Sequence, residues 1–190
     1  MENQIRTIIN ESIEIKKLIL KNNNIKNISK IANIIISAYR NNKKVVVFGN
    51  GGSAADSQHF VAELVCRFEK ERKSIPAIAL TTNSSTLTAI GNDYQFSRVF
   101  SRQVESIVNP GDIVIGITTS GNSVNVIEGI KQAKKNRAIT IGMTGNTGGK
   151  LKYLVDECIC VPSTNTARIQ ECHILIIHIL CKLIEDNLFK

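Results

Sequence analysis

Lys44 to Phe68 reads KVVVFGNGGSAADSQHFVAELVCRF, and the fold turns on these 25 residues. Val45, Val46, Val47 and Phe48 make a short β-branched and aromatic run, the pattern of a strand buried on both faces. The run stops at Gly49-Asn50-Gly51-Gly52 and a helix is predicted to follow. Ser53 is the expected N-cap with Asp56 three residues on, so that free backbone N–H groups point into the space beyond the strand and favour an anion there. On the same helix His59 and Glu63 are spaced i, i+4, which stacks an imidazole and a carboxylate on one face.

Working outward, the plan repeats. Ile113-Val114-Ile115-Gly116-Ile117 is a strand that runs into Thr118-Thr119-Ser120-Gly121-Asn122-Ser123 and then a Lys-rich helix. Ile75 to Leu80, Ile139 to Met143 and Glu157 to Val161 are further predicted strands, with Pro76 tolerable near a strand start. Thr81 to Asp93 reads as a polar, hydroxyl-rich connection, Gln95 to Val108 as a helix, Lys150 to Val155 as a short helix, and Thr166 onward as a long one. Before all of this, Ile5, Ile8, Ile9 and Ile13, then Ile28, Ile31, Ile35 and Ala38, recur at helical spacing on either side of a break at Lys21-Asn22-Asn23-Asn24. The expectation is an α/β fold with a doubly wound parallel five-stranded sheet flanked by helices, whose ligands sit at the carboxyl ends of the strands. A single domain spans 1–190, with 1–42 an N-terminal helical pair packing on the core and the oligomer, and 43–190 the α/β body.

Composition narrows the class. The chain has 190 residues, 43% of them apolar, enough for a full core. Five cysteines is an odd number, the start lacks a charged and apolar leader pattern, and no apolar run reaches about 18 residues. A reduced, soluble, cytoplasmic protein is expected. The net charge of +8 is carried by scattered lysines without a basic stripe interleaved with aromatics, so neither nucleic acid nor a membrane is the expected partner.

Gly49-x-Gly51-x-x-Ala54 fits a dinucleotide fingerprint, but the second strand ends in Leu80-Thr81-Thr82-Asn83, without the acid that would hold a ribose. A nucleotide P-loop is excluded because no Gly-Lys-Ser/Thr follows. Hydroxyls and backbone N–H groups of Ser53, Thr118, Thr119, Ser120 and Ser123 then suggest a small phosphate, the alternative being ordinary turns. His59 and Glu63 are open to two readings, a solvated hydrogen bond or half of a metal site. The last helix bears on this choice, because Gln170, His173 and His178 lie there among aliphatics and buried polar groups need partners. Gln170 and His178 are eight residues apart, about 80° round the helix, so both can face one neighbour. With His59 and Glu63 they would suit a borderline divalent ion. His173 is on another face and reads as a packing residue. Cys158 and Cys160 point the same way along a strand and read as a core face.

GNGGSAADSQHFVAEL, ALTTNSSTLTAIGNDY, GITTSGNSVNV and ARIQECHILIIHIL agree in order, spacing and residue type with the sugar-isomerase (SIS) superfamily, and within it resemble the phosphoheptose isomerases over nearly the whole chain. The resemblance implies a cytoplasmic homotetramer with one zinc per subunit, converting sedoheptulose 7-phosphate to D-glycero-D-manno-heptose 7-phosphate. That reaction is the first step toward the nucleotide-linked heptose of lipopolysaccharide core or capsule. It places the metal on His59, Glu63, Gln170 and His178, with Glu63 and His178 as acid/base pair and either one as the base. Substrate contacts would come from Asn50, Gly51, Gly52 and Ser53, from Glu63 and Gln170, from the phosphate loop Thr118, Thr119, Ser120 and Ser123, from Asn92 and Asp93, and from Arg67 on the helix. Where such isomerases can carry an acid before the Arg-Ile-Gln-Glu run, this chain has Ala167, and no role is carried over there. The superfamily also supplies the rival reading, a non-enzymatic protein binding a replication initiator or sensing a sugar phosphate. The presence of Glu63 and His178 and a length that leaves no room for a DNA-binding domain favour the enzyme.

Overall fold

The structure is a computed structural model describing residues 1–189, apart from the side chain of Asn22. Five strands, β1 (Val45–Gly49), β2 (Ala77–Ala79), β3 (Ile113–Ile117), β4 (Ile139–Gly145) and β5 (Glu157–Val161), form one parallel sheet in the order β2-β1-β3-β4-β5. Every residue of β1 and β3 is buried, and their side chains alternate between two cores. Val45, Val47, Ile113, Ile115 and Ile117 enter one core; Val46, Phe48 and Val114 enter the other. Apolar groups on both faces need cover on both faces, and that demand makes the sheet doubly wound.

The helices are α1 (Glu2–Ile19), α2 (Asn22–Arg40), α3 (Gly52–Val65), α4 (Ser84–Asp93), α5 (Ser101–Ile107), α6 (Val124–Lys135) and α7 (Thr166–Leu188). Ile31 and Ile35 of α2, Phe60 and Leu64 of α3, and Ile176, Ile177 and Leu180 of α7 cover the first face. Val104 of α5 with Val126 and Ile130 of α6 cover the second, where Phe100 stacks on Phe48 at 4.9 Å between ring centroids. No helix among the described residues is long and apolar enough to cross a membrane.

Several boundaries differ from those read in the sequence. Ser53 is not the N-cap of α3: Gly51 is, at φ 55°, and Ser53 is buried in the first turn. Strand β2 is three residues long, although Val45 N–H donates to Pro76 O and Leu80 N–H to Val47 O, so pairing with β1 continues beyond each end. The polar stretch after it contains α4, started by Asn83, whose side chain accepts from Thr86 N–H at 2.9 Å. The helix predicted over 95–108 divides into a 3₁₀ turn, Phe96–Arg98, and α5, with buried Val99 and Phe100 between them. Lys150 to Val155 reduces to one 3₁₀ turn, Leu151–Tyr153.

One ion pair ties the chain following α3 to α7. Arg72 and Glu185 are 2.9 Å apart, with side chains 2% and 0% exposed. Glu185 also accepts from the backbone N–H groups of Phe68, Glu69 and Lys70, and Arg72 donates to the carbonyls of Glu63 and Leu64, both at 2.7 Å. Burial opposes charge on Glu185, but the three N–H groups and the guanidinium outweigh it and hold the carboxyl below its ordinary value of 4.5. Removing one member of such a pair leaves the other charge buried and unpaired. Glu185→Ala is therefore expected to cost about 3–5 kcal/mol in urea unfolding at neutral pH. A group held low stabilises above its unfolded value and loses that contribution as pH falls through its folded one, so wild type and variant should converge in acid. A neutral-pH difference under about 1 kcal/mol would show that the pair is not holding the two segments together.

Candidate active site

Gly49 and Ile117 are register partners, so the loops after β1 and β3 leave the sheet side by side. At Gly49 a Cβ would lie 2.7 Å from Ser53 Cβ and 2.8 Å from Ile117 O, which keeps the first turn of α3 tight against both strands. Asn50 and Asn125 close the gap between loops with reciprocal amide bonds, each Nδ2–H donating to the other's Oδ1 at 2.8 Å. Asn125 is 4% exposed, and its Oδ1 also accepts from Val126 N–H. Its role is not legible in the sequence, where an Asn just inside a helix start looks like a local cap. Opposite, a Cβ on Gly52 would overlap the Gln170 amide of α7.

The second loop is drawn together by hydroxyls. Thr118 Oγ1 and Ser123 Oγ are 2.9 Å apart, and Ser120 Oγ accepts from Asn122 N–H. Thr118 N–H donates to Met143 O and Gly145 N–H to Thr119 O, fastening the loop to β4. Thr119, Ser120, Asn122, Thr147, Ser163 and Thr164 line a cavity of about 260 Å³. Of the hydroxyl residues singled out in the sequence, Thr119 and Ser120 line this cavity, Thr118 is buried and bonded to Ser123, and Ser53 is buried in the first turn of α3.

His59, Glu63 and His178 converge between α3 and α7. His59 Nε2 is 3.0 Å from Glu63 Oε1 and 3.2 Å from His178 Nε2, and the three ligating atoms lie within 4.8 Å of one another. A single ring nitrogen facing both a carboxylate oxygen and another imidazole nitrogen has one proton or one lone pair to offer, so it cannot serve both neighbours equally. A cation among the three donors removes that conflict, and two imidazoles with a carboxylate suit zinc. The residues fit a metal. Phe68 lies against His178 with ring centroids 5.6 Å apart, and Arg72 holds the Glu63 carbonyl.

Elsewhere, Asn92 and Asp93 end α4 on the surface, bonded to each other at 2.9 Å. Arg67 is not on α3 but past its end, exposed and 3.8 Å from Glu71. His173 is a buried packing residue as expected: one nitrogen lies 3.1 Å from Thr144 O, and burial pushes its pKa down to about 4. Asp56 sits one turn before His59 with a buried Oδ2 that has no partner among the described residues, and burial raises it to about 6 against the pull of His59.

Comparison with known proteins matches residues 9–145 to the SIS domain family. The phosphoheptose isomerase of Aquifex aeolicus is 52% identical over 186 residues, covering 98% of this chain and 97% of that one. The chain belongs to the phosphoheptose isomerase family. Solved phosphoheptose isomerases superpose over nearly their whole length: that of Francisella tularensis has a TM-score of 0.93 at 39% identity, covering 97% of each chain. That of Neisseria gonorrhoeae has a TM-score of 0.92 at 41% identity, covering 97% of this chain and 98% of that one.

In this phosphoheptose isomerase fold the Asn50–Asn125 pair sets the spacing of the two loops. Truncating Asn125 to Ala strands the Asn50 amide and the Val126 N–H at the mouth of the site. The expected loss is about 1–3 kcal/mol in chemical denaturation, and a variant as stable as its parent would mean the loops are positioned by other contacts.

Proposed function

We propose that this chain interconverts sedoheptulose 7-phosphate and D-glycero-D-manno-heptose 7-phosphate through an enediol, supplying heptose for lipopolysaccharide or capsule. The convergence of His59, Glu63 and His178 carries this reading, because it sets proton-transfer groups on α3, the helix that starts at the first glycine loop. The phosphate is assigned to Ser53, Thr118, Thr119, Ser120 and Ser123, with Asn50, Gly51 and Gly52 against the sugar from the first loop. Gln170, Asn92, Asp93 and Arg67 are assigned to the remainder of the substrate.

Glu63 and His178 share the proton shuttle: one removes the proton from the carbon beside the carbonyl, and the other returns a proton on the neighbouring carbon. The Glu63 carboxylate lies 3.0 Å from His59 Nε2, and the His178 ring lies against Phe68. Zinc, held by His59, Glu63, His178 and Gln170, would supply Lewis-acid stabilisation of charge developing on the sugar oxygens. The protein is assigned to the cytoplasm, in keeping with five free thiols. Residues 43–190 are taken as the catalytic body and 1–42 as the helices that complete a homotetramer. In support, Ile5, Ile8, Ile9 and Ile13 of α1 form a stripe 43–53% exposed that a second copy would cover.

A coupled assay on sedoheptulose 7-phosphate tests the activity. Glu63→Gln and His178→Gln should each lower kcat by about 10²–10⁴ while circular dichroism stays that of wild type. Near-wild-type turnover in both would remove them from proton transfer. Ser120→Ala should raise KM more than it lowers kcat, since phosphate contacts persist from ground state to transition state; an unchanged KM would move the phosphate elsewhere. Dialysis against a chelator should abolish turnover without unfolding, and zinc should restore the wild type but not His59→Ala. Full activity in protein that elemental analysis shows to be metal-free would leave an unaided acid/base pair.

A further inference from the structure

Cys158 and Cys160 are not used by the isomerase chemistry. They lie two residues apart on β5, the edge strand, so both side chains leave the same face. Their sulfurs are 3.7 Å apart, and the Thr144 hydroxyl of neighbouring β4 reaches both, at 3.6 and 3.3 Å. Both are half-buried. Cys66 is exposed on another part of the surface, and Cys172 and Cys181 are buried.

The pair abuts the glycine turn that underlies the phosphate loop. A Cβ on Gly148 would meet Cys160 Sγ at 2.9 Å and Lys152 Cβ at 2.7 Å. On its other side the turn has no slack: Gly121 approaches Gly148 O closely enough to exclude any side chain, and a Cβ on Gly149 would lie 2.5 Å from Ser120 O. Leu151 N–H donates to Gly121 O, and Lys150 N–H to Asn122 Oδ1. Displacement at Cys160 therefore reaches Ser120 through packed backbone.

We propose that Cys158 and Cys160 form a redox-active thiol pair that reacts with hydroperoxides, and that its oxidation loosens the Thr118–Ser123 loop. The thiol chemistry stands on the pair's own geometry; the consequence for catalysis rests on assigning that loop to phosphate. The two thiols share their environment unequally. Cys158 donates toward Cys160 and, with Thr144 and the Lys152 ammonium, lowers the Cys160 thiol to about 6 against the effect of burial, while the same contact and burial keep Cys158 protonated. The Thr144 hydroxyl donates to Cys160 Sγ at 3.3 Å and stands farther from Cys158 Sγ, at 3.6 Å, so that Cys160 is the nucleophile and Cys158 the resolving thiol. The Cys160 thiolate attacks a peroxide oxygen: an S–O bond forms, the O–O bond breaks, and the leaving oxygen departs as water (or an alcohol) after taking a proton. Cys158 then attacks the sulfenic sulfur, forming the S–S bond, breaking S–O and releasing a second water. Two electrons pass from sulfur to peroxide. Strand residues two apart have Cα atoms about 6.6–6.8 Å apart, at the upper limit of disulfide geometry, about 6.8 Å. Closure must therefore bend β5, which is hydrogen-bonded to a strand on one side only, and the resulting bond is readily reduced.

The test uses the full chain, reduced, exposed to hydrogen peroxide and alkylated before peptide mapping. The peptide spanning 158–160 should lose two hydrogen masses and resist alkylation until dithiothreitol is added. Cys158→Ser should leave a sulfenic acid at Cys160 that dimedone traps, and Cys160→Ser should leave Cys158 reduced at the same dose. A 158–160 peptide that stays reduced while Cys66 oxidises, or Cys158 oxidising as readily without Cys160, overturns the pair. For the coupling, amide exchange across 118–123 should accelerate on oxidation and KM for the sugar phosphate should rise at least about threefold with kcat changed less. Unaltered exchange overturns the coupling whether or not the protein isomerises heptose phosphates; accelerated exchange with an unaltered KM overturns only the loop's assignment to phosphate.

Discussion

The arrangement of the site depends on a buried charge pair that takes no part in its chemistry. Arg72 and Glu185 are nearly inaccessible to water, and between them they fix the end of α3, the turn after it and the last third of α7. Glu185 is two turns beyond His178, and Arg72 grips the carbonyl of Glu63 itself. Ring and carboxylate atoms that must meet within about 3 Å tolerate little sliding of one helix on another, and apolar packing alone is forgiving of such sliding. An ion pair with five or more directed hydrogen bonds is not. The cost of burying the charges is offset because each has its partners, which is why removing one is worse than never having had either.

The other half of the site is organised by backbone. Parallel pairing of β1 with β3 brings two loops to the same sheet edge, and small residues let them approach: Gly49 and Gly52 leave room for Ser53 and Gln170, and Gly51 takes the positive φ that starts α3. The reciprocal Asn50–Asn125 amides then set their distance. A polar edge assembled this way is ordered before any ligand arrives, so its donors need little rearrangement to meet an anion.

The thiol pair on β5 shows how tightly the rest of the sheet edge is connected to that loop. Gly148 and Gly149 carry no side chains to absorb a displacement, so whatever moves Cys160 is felt at Ser120. Edge strands are the parts of a parallel sheet that can bend without breaking pairing on both sides, and β5 occupies that position.

Short-range chemistry controls the features that can be read along the chain. The apolar runs at Val45 to Phe48 and Ile113 to Ile117 required a sheet covered on both faces, the loops at their ends required a ligand edge, and the i, i+4 spacing of His59 and Glu63 required one shared helix face. The meeting of those two residues with His178 was suggested by the family resemblance and by polar residues in an apolar helix; the tertiary structure alone shows how close the three atoms come, because α3 and α7 are separated by 100 residues of chain. Propensity places the start of α3 at Ser53, because a serine before a helical pattern is a good cap, whereas the turn out of β1 demands the positive φ that Gly51 takes without strain. Helix α4 was hidden in hydroxyl residues whose preference for turns is overridden by the Asn83 cap and by Leu87 and Ile90 packing on the second core. Asn125, Arg72 and Glu185 carry no local signal at all, since a buried polar residue declares itself only when its partner, distant in sequence, is folded against it.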